Sequence, residues 1–407
     1  MTVSVIKLSE MRYLVLFLFV PVVVSCGTKQ LELPNERKGA QKAVMELSYL
    51  ETKAFVLDST TAPHPYYMQM FLDSSGVRQF TFLNHYRNSI LFYNYDNLSF
   101  IKEIQFIQEG SEAVERPRGY YIKSIDSIYI FSGMMHIMLV NSKGKVLNKV
   151  SLIGEYDMST SPRQWAYKFP YYLMQTSKPF MQTKTELILS GSFTGSIPDS
   201  LVNKFKFTAH IDFNMDSVYF SHTYPSAVFG NNNNWGGSIP MEVFPLLHPD
   251  GRRIIYSFVP SHHLYISDLQ GTQEYKITYA GSNFAGTISS YKKDAKRMKD
   301  QTVVSKFVRE DRYCAIHYDP FRKVYYRFIR EAMTDAPIGT HWNEKNISVI
   351  ILDEDMRYLG ETTLGPCNVW YWQNSFVSEE GLNIEYIDKN DEREDYLNLG
   401  LFVPKEI

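Results

Sequence analysis

The sequence predicts an all-β fold: a six-bladed β-propeller of four-stranded antiparallel blades, its ring closed by a strand from near the N-terminus. Three observations predict it. Short β-type runs recur in groups of four at roughly 40 to 50 residues, the spacing of propeller blades. Aromatic residues are abundant, with 29 Tyr, 26 Phe and 5 Trp, and these side chains suit pleated, half-buried surfaces. The last group is one strand short, and a strand from the other end of the chain would complete it.

The clearest group spans residues 240–280. Turn signals at Pro249-Asp250-Gly251, Pro260–His262 and Gln270-Gly271 cut it into Phe244–Leu247, Arg253–Val259, Leu264–Asp268 and Glu274–Tyr279, a meander of four strands. Ile254, Tyr256 and Phe258 alternate with Ile255, Ser257 and Val259. Both faces therefore carry apolar groups, as a sheet packed between two other sheets requires.

The same template places the other blades. Tyr67–Leu72, Arg78–Leu83, Ser89–Asn94 and Phe100–Phe106 form the first, and Tyr120–Ser124, Ser127–Phe131, His136–Asn141 and Lys145–Leu152 the second. After a linker at 154–169, Tyr171–Gln175, Glu186–Phe193, Lys206–Phe213 and Ser217–His222 form the third. The 240–280 unit is the fourth, and the Lys- and Arg-rich Ser289–Asp300 follows as a solvated, weakly helical connector. Arg312–Tyr318, Lys323–Arg330, Asn346–Leu352 and Arg357–Leu364 form the fifth. The sixth shows three strands, Val369–Val377, Leu382–Ile387 and Tyr396–Val403, with Ala43–Tyr49 or Lys53–Leu57 expected to supply the fourth. Radial repetition buries the sheet faces and leaves only short edges; a pair of β-sandwich domains is the competing arrangement.

The N-terminus carries an address. Arg12 precedes the apolar run Tyr13–Val24, then Ser25-Cys26-Gly27, the layout of a secretory signal rather than of a membrane span, which needs about 20 apolar residues. Val23-Val24-Ser25-Cys26 has the form of a bacterial lipobox, so Cys26 is expected to be acylated and to hold the mature protein on a membrane. The expected organisation is a signal peptide at 1–25, a flexible tether at 26–42 and a propeller at 43–407. No acidic run follows Cys26, which points to the periplasmic side of the outer membrane rather than to surface display.

The formal charge is -2, and removing residues 1–25 (Lys7, Arg12 and Glu10) leaves 40 basic against 43 acidic groups, or -3. That balance gives no footprint for nucleic acid. Cys314 and Cys367 lie in strand-like apolar surroundings and read as buried free thiols, although the expected compartment would tolerate a disulfide.

The lipobox, the blade-like Ser127–Gly154 segment, the Tyr318-Asp319-Pro320 hairpin leading to Tyr325-Tyr326-Arg327, and the Phe402-Val403-Pro404 ending together resemble an uncharacterised family of lipoproteins from Bacteroidetes-type bacteria, similar in layout to six-bladed propeller lipoproteins. The resemblance implies a propeller on a membrane anchor and supplies no catalytic residues.

Three residues are candidates for ligand binding. Asn234 and Trp235 lie in the Asn231–Gly237 loop, where an indole among amides could stack on a sugar ring, although Asn and Gly there also suit a tight connection. Arg327 shares a strand face with Tyr325 and Ile329, and a buried Arg needs a carboxylate or several carbonyls. His262 and His263 are adjacent in a turn and ill placed as joint metal ligands; His317 and Asp319, two apart at a hairpin and facing the same side, could form a charge-assisted pair. No Gly-x-Ser-x-Gly elbow, Walker loop, dinucleotide fingerprint or zinc spacing is present. The expected function is a non-catalytic binding propeller for a peptide, glycan or envelope protein, without cofactor. The alternative is a hydrolase or lactonase with a divalent cation held in the central channel.

Overall fold

In the computed structural model, which describes residues 30–110, 112–156, 164–215, 217–291 and 300–407, six four-stranded antiparallel sheets follow one another along the chain. The 240–280 stretch shows why. Its strands run Val243–Leu247, Arg253–Phe258, His263–Asp268 and Lys276–Tyr279. The second is buried on both faces from Ile254 to Phe258, whereas the last is half open. Gly251, at φ +67°, closes the first turn with its N–H on the His248 carbonyl at 2.8 Å. Asp268 carboxylate oxygens take the N–H groups of Gln270, Thr272 and Gln273 in the third. Turn chemistry thus sets the register, which places Tyr256 opposite Tyr265.

The ring closes through the N-terminus. Met45–Val56 pairs along its length with Tyr396–Glu406, from Met45 opposite Glu406 to Val56 opposite Tyr396, and completes blade 6. Both candidate closing segments belong to this single strand, bent by a bulge between Tyr49 and Glu51. The seam with blade 1 is aromatic: Phe55 lies 4.5 Å from Phe80 and T-shaped against Tyr93. On the other side, a Cβ on Gly360 would collide with the Met45 carbonyl, so the strand can lie close only over glycine.

Two segments differ from expectation. The inner strand of blade 3 is Met181–Gln182, not Tyr171–Gln175. Tyr171 keeps a single bridge to Ser192, and Thr176-Ser177-Lys178-Pro179 leaves the sheet, because these residues are polar and Pro179 offers no N–H to a ladder. Residues expected to be a tether also pack. Glu32–Leu33 pairs with Ile288–Ser289, Leu31 and Leu33 lie on the core, and the Asn35 amide donates to the Ser282 and Ala285 carbonyls at 2.7 and 2.9 Å. The alternation of Leu31 and Leu33 with Glu32 is a short strand signal inside a polar stretch. Past the fourth blade, a helix at Asp300–Arg309 buries Phe307 and Val308, while 292–299, most of the expected connector, lie outside the described residues. Cys26 and the signal segment lie outside them as well. Cys314 and Cys367 are free and buried, and burial pushes their thiols up to about 12 and about 11.

Candidate functional site: a cleft on blades 1 and 2

Within each blade, the first strand begins, the second ends and the third starts on one common face of the ring, the upper face. The segment displaced from blade 3 crosses the central channel there. Ser177 donates its N–H to the Gln373 carbonyl at 2.9 Å on the inner strand of blade 6, diametrically opposite in a ring of six. Thr176 Oγ1 donates to Asn374 Oδ1 at 2.8 Å and accepts from the Met68 N–H at 3.0 Å. Lys178 Nζ meets Glu242 Oε2 at 2.7 Å and lies 4.5 Å from the Phe244 ring centre. The centre is filled by a polar plug, in which Ser177 Oγ and Gln373 Oε1 are buried without a partner among the described residues. Among the described residues no group of three or more His, Cys, Asp and Glu side chains is placed to hold a metal ion.

The residues singled out in the sequence take structural positions. Trp235 is buried, with its indole N–H on the Val228 carbonyl at 3.1 Å and its ring 6.4 Å from Phe229; no face is open to a sugar. Asn234 Oδ1 takes the Gly236 N–H at 2.9 Å, and the Asn234 carbonyl takes the Tyr291 N–H at 2.6 Å. Asn231 and Asn232 adopt φ of 56° and 54°, the left-handed turn conformation open to Asn. Arg327 is fully buried on the second strand of blade 5, and every bond it makes is to blade 4 and the segment leaving it. Nη1 donates to the His262 and Ala280 carbonyls at 3.0 and 2.9 Å, Nη2 to those of Ser261 and His263 at 2.7 and 3.2 Å, and Nε to Ser257 Oγ at 3.1 Å. The Tyr313 ring lies 3.9 Å from the guanidinium carbon. Arg327 is an inter-blade clamp built on carbonyls, with no N–H left for a ligand; burial pulls its pKa down to about 10.

The histidines are likewise engaged. His262 shares a hydrogen bond with the Tyr313 hydroxyl at 2.8 Å and one with the Leu33 carbonyl at 3.1 Å, while His263 stands edge-on to Tyr279. His317 and Asp319 do not pair. His317 meets Ser375 Oγ at 2.8 Å, and Asp319 holds Arg322 at 3.1 Å and the Tyr326 hydroxyl at 2.9 Å.

The open site lies instead on the upper face of blades 1 and 2, a cleft of about 510 Å³ lined by Tyr66, His85, Tyr86, Asn88, Gln108, Glu115, Arg116 and Arg118 among others. Three turns build it. Tyr66 precedes the inner strand of blade 1 (Met68–Leu72), His85 and Tyr86 cap the turn between Arg78–Asn84 and Ser89–Asn94, and Arg116 and Arg118 flank the start of blade 2 at Pro117–Ser124. Tyr66 stacks on His85 at 4.4 Å, Tyr86 meets His85 edge-on at 4.7 Å, and the Arg118 guanidinium lies 5.1 Å from the Tyr66 ring centre. Tyr86 is 60% exposed and Tyr66 41%. Burial, then the Arg118 charge, holds the His85 pKa below its ordinary value, and its buried Nδ1 has no partner among the described residues. Arg116 has φ +49°, rare for a side-chain-bearing residue. Within the described residues neither Arg116 nor Arg118 has a carboxylate within 4.0 Å. Sequence reasoning missed this cleft because its side chains come from separate turns; the available signal was aromatic and Arg residues placed in turns rather than in strands.

No curated protein matches the chain. Among solved structures, a DUF4221 member from Bacteroides vulgatus matches with a TM-score of 0.72 at 19% identity, over 90% of this chain and 100% of its own. A protein of Bacteroides fragilis named as exported matches with a TM-score of 0.51 at 10% identity, over 89% of this chain and 96% of its own. At these identities the likeness is one of fold. Residues 44–363 match the sequence model described as a domain of unknown function, DUF4221, and the chain belongs to that family.

Proposed function

We propose that this protein is a non-catalytic binding propeller of the bacterial cell envelope, anchored through acylated Cys26 on the periplasmic side of the outer membrane. Its ligand site is the Tyr66–Arg118 cleft, and the ligand class is an acidic saccharide. The observation that carries the reading is an exposed Tyr86 ring in the same cleft of about 510 Å³ as Arg116 and Arg118, neither of which has a carboxylate within 4.0 Å among the described residues. An aromatic face takes the apolar side of a sugar ring, and a guanidinium fork takes a carboxylate. Asn88 and Gln108 add amides to the lining, the kind of polar group that fixes orientation in a largely preformed pocket.

The address rests on the lipobox, and no helix among the described residues is long and apolar enough to cross a membrane. Cys26 stands four residues before Gln30. Because 30–41 pack on the ring, the anchor can stand at most about 14 Å from Gln30, given the reach of an extended chain. Calorimetry against matched acidic and neutral saccharides tests the ligand. Saturable binding of an acidic saccharide is expected, with loss in Tyr86→Ala and in Arg118→Ala. Equal binding by wild type and both variants, or turnover of a bound glycoside, refutes the reading. Cys26→Ser should move the protein from the detergent phase to the aqueous phase.

A further inference from the structure

The geometry points to a second, buried site for a small monovalent anion, organised by Arg330 between blades 5 and 6. Arg330 ends the second strand of blade 5, opposite Arg312 on one side and Ile347 on the other, and is 4% exposed. Rings cover it: its guanidinium carbon lies 4.6 Å from the Phe307 ring centre and 5.2 Å from that of Trp372. Only its edges remain. On one edge, Nε and Nη2 are buried with no hydrogen-bond partner among the described residues. These two N–H groups point the same way and form the fork that takes an anion with two parallel bonds.

The surroundings repeat the demand. The Trp372 indole N–H and Arg312 Nε are also buried without a partner among the described residues, so donors outside the fork are unmet too. Lys345, fully buried, donates among the described residues to the carbonyls of Phe307 and Glu310, at 2.7 and 2.5 Å. Arg312 is neutralised by Glu310 at 2.5 Å, and the Asp311 carboxylate is engaged by the Gly286 and Ala332 N–H groups. Within the described residues no carboxylate lies within 4.0 Å of Arg330. A guanidinium keeps its proton in proteins, and a buried charge without a counter-charge is strongly destabilising. Burial, followed by the charges of Arg330 and Arg312, holds the Lys345 pKa down, consistent with a locally positive region. An anion at the fork would satisfy Nε and Nη2 together and supply the missing charge. This site is separate from the cleft on blades 1 and 2 and independent of what binds there.

Gln373 Oε1 and Asn368 Oδ1 are acceptors also buried without a partner among the described residues; bound water is therefore the competing occupant, and the experiment separates the two. Urea unfolding of the purified protein is followed in sodium chloride and sodium bromide against sodium gluconate at equal ionic strength. The expected result is a midpoint that rises with halide and saturates, as ligand linkage requires, with an anomalous bromide peak at the Arg330 fork in soaked crystals. The halide dependence should vanish in Arg330→Met. Trp372→Phe, which keeps the ring against Arg330, should weaken halide binding about five- to tenfold if it removes one donor, and it serves as the test if Arg330→Met does not fold. Identical wild-type midpoints in halide and gluconate with water at the fork, or an undiminished halide response in Arg330→Met, overturn the proposal.

Discussion

Replacing Arg327 with Met removes the guanidinium but keeps most of the length and volume of the side chain, so the change isolates the clamp between blades 4 and 5. Four carbonyls and one hydroxyl, at 2.7 to 3.2 Å, lose their donor together. At about 1 kcal/mol net per bond, plus about 1–2 kcal/mol for the cation over Tyr313, the gross loss is about 6–7 kcal/mol. The wild-type guanidinium, however, is itself desolvated, and relief of that cost offsets part of the loss. A net destabilisation of about 3–5 kcal/mol follows, because four buried carbonyls are left without a donor. Arg327→Lys should fall between, since an ammonium has only three donors and lacks the planar fork. Equilibrium denaturation with matched slopes measures the change, and saccharide binding by the folded fraction should stay at the wild-type level because Arg327 is remote from the cleft. A cost below about 0.5 kcal/mol, the level of an ordinary surface change, would refute the clamp.

Four further expectations can be checked. Burial holds the pKa values of His222, His262 and His317 at about 4, so the unfolded chain takes up protons between about 6.5 and 4 that the folded chain refuses. Stability should be full above about pH 6.5 and fall by several kcal/mol on acidification to pH 4, with a shallower slope in His317→Gln; a flat profile over that window contradicts the assignment. His64 runs the other way, its pKa raised by the Glu385 hydrogen bond, and proton NMR should show it titrating above its ordinary value and returning toward it in Glu385→Gln. Gly360→Val should push the closing strand off blade 5 and lower the unfolding midpoint markedly, and Trp235→Phe should cost about 1–2 kcal/mol through one lost hydrogen bond and lost volume while leaving saccharide affinity unchanged.

What was legible in the chain depended on whether the information was local. Asp268 and Gly251 fix their turns by bonding to their own neighbourhood, so a run such as Pro249-Asp250-Gly251 announces a turn whatever surrounds it, and the blades could be counted. Closure was legible from arithmetic alone, because a sheet missing a strand leaves an edge that must be covered. Arg327 was half legible: its strand face announced burial and a need for several acceptors, but the sequence could not say that carbonyls, rather than a carboxylate or a ligand, would meet it. Trp235 was ambiguous for the same reason, since an indole among asparagines looks the same whether its N–H meets a sugar or the Val228 carbonyl. The plug and the cleft were illegible because each exists only between blades. Thr176 and Ser177 make sense only once Asn374 and Gln373 stand across the channel, and Tyr66, His85 and Arg118 become a site only when separate turns share one face. A repeated scaffold therefore exposes its architecture in the sequence and hides its candidate sites in the seams, where the lining residues come from non-equivalent positions of neighbouring repeats.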